Sequence, residues 1–258
     1  MAAFKKAREC GSPGIELDIH VTRDGKLAVV HDDNFLRTGT HDNNGNGKKP
    51  EELNYSEIKK IDVGSFFGSE WSFERPPLLE EVLEEFCPGM YVDIELKTRK
   101  TKDDPLPVLL AEKCKALGKK ICTAITVSSF NPFALKTFKA NWNESQATET
   151  AFPEGNLRSL SRARRVVPEI PAAIIWCSDK EVPWILRRGF GRLLSGCDYV
   201  KPIYKQVSRF SVYRYSVLEK RPVIPWTVDD AALAEKMLKA GCEGIITNRP
   251  QDLIMSSS

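Results

Sequence analysis

Apolar residues recur at every second position in several short runs, separated by stretches where they recur at helical spacing. Ile15, Leu17 and Ile19 alternate with Glu16, Asp18 and His20, the period at which an extended chain sends successive side chains to opposite faces. Period-two or continuously apolar segments predict barrel-type strands at 15–19, 91–97, 121–128, 172–178, 197–202, 222–228 and 244–248. The turn "TRDGK" at 22–26 carries an Asp-Gly hairpin signal and joins 15–21 to "KLAVVHD" at 26–32. Helical spacing predicts helices over "AAFKKAREC", stopped by Gly11, and over "PEELNYSEIKKIDVG" and "PPLLEEVLEEFCP". Further helices are expected at about 105–118, 133–140, 206–219, over "VPWILRRGFGRLLSG" and over "DAALAEKMLKAG". The Gly- and Asn-rich stretch 38–50 reads as a loop, and the polar stretch 141–170 as a variable excursion.

Strand and helix alternate throughout, which predicts a parallel sheet of the α/β class. The polar residues cluster where these strands end, as in a (β/α)8 TIM barrel, whose chemistry sits at the C-terminal face. The chain opens on a helix with no strand before it, so the first barrel strand is expected to be missing. No repeat, low-complexity segment or linker divides residues 1–258, which predicts a single domain.

Composition narrows the class. A net charge of +3 over 258 residues, with no basic block interleaved with aromatics, argues against a nucleic-acid partner. "RSLSRARRVV" at 158–167 reads as a solvated helix face. Seven cysteines without C-x-x-C spacing fit reduced thiols. No apolar run reaches the roughly 18 residues of a membrane helix, and the N-terminus lacks the apolar stretch of a signal peptide. A cytoplasmic protein without membrane insertion is expected; the oligomeric state is not legible.

Two carboxylate pairs then stand out. Glu16 and Asp18 share one strand face, and Asp93, Glu95 and Lys97 share one face of "YVDIELK". Carboxylates held side by side repel unless a cation lies between them or one is protonated. If the two strands are neighbours, a hard divalent cation, Mg²⁺ or Ca²⁺, would neutralise the group and leave positions for phosphate oxygens, with Lys97 as a second positive charge. The same spacing also fits the solvated face of two strands joined by an ion pair. His31 closes an apolar run ahead of Asp32 and Asp33, which suits a proton donor oriented by a carboxylate or a structural histidine. His20 is the second candidate acid or base, and His41 lies in the Gly/Asn loop. Trp226 in "IPWTVDD" suits either an aromatic pocket wall or a core position. No G-x-G-x-x-G, Walker loop or G-x-S-x-G elbow supports a nucleotide or serine-hydrolase reading.

Taken in order, "AAFKKAREC…GIELDIHVTRDGKLAVVHDD", "DIELK", "VSSFNP", "PWTVDD" and "GCEGIITNRPQDL" resemble the glycerophosphodiester phosphodiesterase family across nearly the whole chain. The resemblance implies a (β/α)8 barrel with a small insertion at about 35–75. It implies metal-dependent hydrolysis of a small-molecule glycerophosphodiester to glycerol 3-phosphate and an alcohol, in lipid and glycerol metabolism. By the same resemblance Glu16, Asp18 and Glu95 are metal ligands, Lys97 contacts phosphate, His31 is a catalytic histidine and Trp226 lines the substrate pocket. Family members begin with a strand ending in His-Arg-Gly followed by Glu-Asn-Thr, and this chain starts inside the helix after it, so by the resemblance it is expected to lack the first of two catalytic histidines, its phosphate-binding arginine and that glutamate. The alternatives implied are a non-catalytic metal- or phosphate-binding barrel remnant, and a related barrel lyase that forms a cyclic phosphate.

Overall fold

Among the described residues, six strands make one sheet: β1 (Gly14–Val21), β2 (Leu27–Val29), β3 (Tyr91–Leu96), β4 (Ile125–Ser129), β5 (Ala172–Trp176) and β6 (Tyr199–Pro202), in the order β2-β1-β3-β4-β5-β6. The computed structural model describes residues 1–39, 47–117, 119–149, 170–180 and 182–254. His41 and the basic stretch 158–167 lie outside the described residues. Only the β1–β2 hairpin is antiparallel; every other pair is parallel. Sequential parallel neighbours with helical crossovers are the pattern of an α/β barrel.

The apolar half of each strand's alternation faces the surrounding helices. Ile15, Leu17 and Ile19 join Val92, Ile94 and Leu96 in one core with Leu79 and Leu83 of helix Leu79–Phe86, Leu110 of helix Pro105–Leu117, and Phe138 of helix Pro132–Glu149. Burying that set leaves the opposite, polar set on the interior side, because the side-chain period is two. Phe35, Leu53, Ile58 and Ile61 build a second small core, closed against Ala28 of β2.

Several predicted boundaries shift. Residues 119–122 are a helical turn, and the strand predicted at 121–128 starts only at Ile125. The segments at 222–228 and 244–248 form no ladder, although they extend the sheet past β6. Ile224 N–H donates to Val200 O (3.0 Å), Trp226 N–H to Pro202 O (3.2 Å), and Val228 N–H to Ile246 O (2.9 Å). Pro222 and Pro225 supply no N–H there, so the ladder is interrupted. In "VPWILRRGFGRLLSG" only Arg192–Ser195 is helical. Gly189 has φ +74°, and a Cβ there would lie 2.8 Å from the Trp176 ring, so the chain turns tightly over that indole. The expected helix at 206–219 divides into a 3₁₀ turn (Tyr204–Gln206), a short α-helix (Arg209–Val212) and a π-helical turn (Tyr213–Leu218). That at 50–64 shrinks to Pro50–Glu52 and Tyr55–Ile58. Helix Pro132–Glu149 runs on through residues read as the start of the excursion. No described helix is long and apolar enough to cross a membrane.

Candidate active site

The β1–β3 register sets the centre of the site. Glu16 pairs with Asp93 and Asp18 with Glu95 across the parallel ladder, so four carboxylates occupy two adjacent levels on the interior face. Carboxylate oxygens of Glu16, Asp18 and Glu95 lie within 4.8 Å of one another. Lys97, one residue past β3, places Nζ 3.0 Å from Asp18 Oδ1 and 2.9 Å from Glu95 Oε1. From β6, Lys201 reaches across the interior to Asp93 Oδ2.

Electrostatics follow from this crowding. Burial, then the charges of Asp18, Asp93 and Glu95, push the Glu16 carboxyl well above the usual carboxylate range, and Lys201 opposes that rise. Burial pushes Glu95 up to about 7, against the pull of Lys97 and with the repulsion of Asp18 and Asp93 added. The Lys97 ammonium is held above its ordinary value: burial works against it, but Glu95 and Asp18 more than compensate. Four carboxylates face two ammonium groups, a formal excess of two negative charges. An all-oxygen donor set of this size with that excess fits a hard divalent cation.

The hairpin brings His31 back toward β1. Val30 N–H donates to Asp18 O (3.0 Å), which pins the chain beside the acidic centre just before His31. His31 is 69% exposed, and its Nδ1 lies 2.6 Å from Asp32 Oδ1. Arg37 grips the same carboxylate through Nε (2.7 Å) and Nη2 (2.9 Å). A fork of this kind fixes the carboxylate's plane, and with it the imidazole it accepts from. His20 sits elsewhere: it is 3% exposed, with Nδ1 3.5 Å from Glu51 Oε1 and Nε2 without a hydrogen-bond partner.

Trp226 lies beside the end of β6, bridged to Ile203. Its Nε1–H donates to Lys201 O (2.9 Å), and its ring meets Phe130 edge to face with centroids 5.7 Å apart. Phe130 follows β4, and Asn131 anchors that turn by donating from Nδ2 to Lys100 O (2.7 Å). Sequence reasoning missed Lys201, Arg37 and Phe130. A lysine inside the short run "YVKP" was the available signal for the first, since a charge within a barrel strand needs a partner.

Known proteins resemble this chain along nearly its whole length. Residues 1–182 match the model of the Glycerophosphoryl diester phosphodiesterase family. A glycerophosphodiester phosphodiesterase of Caldanaerobacter subterraneus subsp. tengcongensis is 30% identical over 259 residues, covering 98% of this chain and 89% of the relative. A solved Oleispira antarctica phosphodiesterase in complex with the product sn-glycerol-3-phosphate superposes with a TM-score of 0.74 at 22% identity, covering 99% of this chain and 89% of that one. A glycerophosphodiester phosphodiesterase from Agrobacterium tumefaciens gives 0.72 at 19% identity, over 98% and 91%. These likenesses show the fold, the (β/α)8 barrel that the strand alternation predicts.

Proposed function

Because the chain belongs to the glycerophosphoryl diester phosphodiesterase family, a family of phosphoric diester hydrolases, we propose that it hydrolyses a glycerophosphodiester to glycerol 3-phosphate and an alcohol. The observation that carries this reading is the convergence of Glu16, Asp18 and Glu95 oxygens within 4.8 Å of one another. Those three side chains would hold a divalent cation, Mg²⁺ or Ca²⁺. Bound there, it supplies Lewis-acid polarisation of a phosphate oxygen.

The chain's own residues divide the remaining work. Lys97 is a point charge within reach of the same centre and can turn from its carboxylates to a phosphate oxygen. Asp32 accepts from His31 Nδ1, so Nε2 carries the transferable proton of the imidazolium. Water forms the new bond to phosphorus and releases its proton to solvent while the bond to the alcohol breaks; the His31 proton goes to the departing alkoxide, and Asp32 stabilises the charged ring before transfer. Trp226 and Phe130 form an aromatic wall for the carbon skeleton of the glycerol.

The domain extends over residues 1–258, with 35–75 as an insertion that carries Arg37, the residue that holds Asp32 beside His31. All seven cysteines are unpaired, which supports a reducing, cytoplasmic setting. The place of the reaction is the breakdown of deacylated glycerophospholipids.

The test is product analysis with glycerophosphocholine. Release of glycerol 3-phosphate and choline, abolished by a chelator and restored by Mg²⁺ or Ca²⁺, is expected. A cyclic phosphate product, or full turnover without metal, contradicts the reading.

A further inference from the structure

At the Glu16 level of the acidic centre lies a charge pair that the reaction as described does not use. Lys201, on β6, is 2% exposed and reaches Asp93 on β3, which lies three strands away in the sheet order. The lysine stem therefore crosses the barrel interior, where branched apolar side chains ordinarily fill the layers. Asp93 sits directly opposite Glu16 in the ladder and two residues before Glu95. Its second oxygen, Oδ1, is buried with no hydrogen-bond partner. Buried ion pairs contribute little net stability compared with well-packed hydrocarbon, because desolvation offsets their attraction. Stability alone therefore does not account for a lysine and an aspartate at this level.

We propose that Asp93 and Lys201 are positioning residues, a neutral pair that sets the affinity of the Glu16, Asp18 and Glu95 centre for its divalent cation. The inference rests on the metal reading given above. The pair matters as a unit. With Asp93 gone, Lys201 has a buried ammonium facing Glu16, which lies directly opposite position 93 in the ladder, and it competes with the cation for that carboxylate. With Lys201 gone, Asp93 adds an uncompensated negative charge beside Glu16 and strengthens the pull on the cation. With both gone, the charge at the centre returns to its original balance. A merely structural pair would lower the unfolding temperature in both single variants and leave cation affinity unmoved.

The experiment is calorimetric titration of Ca²⁺ into the metal-stripped full chain and its variants, with thermal unfolding as the check on folding. Asp93→Asn is expected to weaken binding tenfold or more, and Lys201→Met to tighten it threefold or more. Asp93→Asn/Lys201→Met is expected within threefold of the parent. If Asp93→Asn does not fold, the other two variants still decide. Single variants within threefold of the parent, shifts of the same sign, or a double variant that follows Asp93→Asn overturn the inference. Failure of the parent to bind Ca²⁺ overturns the metal reading itself; binding by the parent with unmoved variants overturns this inference alone.

Discussion

Lys97 and Glu95 lie two residues apart in "ELK", and their charged ends meet at 2.9 Å. The ammonium occupies part of the space between Glu95 and Asp18, so it acts as a counter-ion for the acidic centre. Lys97→Met is expected to destabilise the metal-free protein by about 3 kcal/mol, the order of an uncompensated buried charge. That corresponds to roughly 6–12 °C in Tm for a chain of this size. Adding Ca²⁺ should restore most of the loss. An unchanged Tm in the absence of metal contradicts the role.

His31 is the proposed proton donor, and donation matters in proportion to how poor the leaving group is. His31→Ala should lower choline release from glycerophosphocholine by ~10²–10⁴-fold, the range for one general acid. An aryl phosphodiester, whose leaving group needs no proton, should lose far less. Equal losses on the two substrates would mark a structural histidine.

Asp32 gives a pH-dependent signature. The hydrogen bonds from Arg37, with those of His31 and against the opposing effect of burial, hold its carboxyl at about 2 instead of 3.8. A carboxyl depressed on folding contributes stability that is fully present above its ordinary value and fades as pH falls through the lowered one. Asp32→Asn should therefore be less stable than the parent by about 1 kcal/mol at pH 5, a figure reduced for partial solvent screening. The gap should close between pH 4 and 2. Urea midpoints at pH 5, 4 and 3 measure it; a gap that does not change with pH contradicts the assignment.

Much of this site was legible in the chain because strand alternation is a strict geometric rule. Glu16 and Asp18 on one run, and Glu95 and Lys97 on another, had to share faces once the runs were extended. The strands at 222–228 and 244–248 were overread because apolar continuity does not register the missing N–H of Pro222 and Pro225. Lys201 escaped notice because its partner is Asp93, 108 residues away, and sequence periodicity says nothing about which strands face each other across a barrel. Arg37 was hidden inside a loop, where no period exists.

The cluster at Glu219 belongs to the same illegible class. Arg192 is 4% exposed and binds Glu219 through Nε (2.8 Å), while Arg221 Nη1 (2.8 Å) and Arg214 Nε (3.2 Å) share that carboxylate. Glu219→Gln removes the counter-charge of three guanidinium groups and should cost about 3–5 kcal/mol, read as a shifted denaturant midpoint. A shift within about 0.5 kcal/mol, the range of ordinary surface substitutions, contradicts this.

Glu16, Asp18 and Glu95 are proposed to hold a divalent cation. Mn²⁺ is a paramagnetic stand-in for such a cation, and its free-ion spectrum is lost when it binds, so titration of the metal-stripped chain reads occupancy without reference to turnover. The parent protein should deplete the free Mn²⁺ signal, Mg²⁺ or Ca²⁺ in excess should restore it, and Glu16→Gln and Glu95→Gln should each leave the signal undiminished. A parent chain that leaves free Mn²⁺ untouched, or carboxamide variants that bind as the parent does, contradicts it.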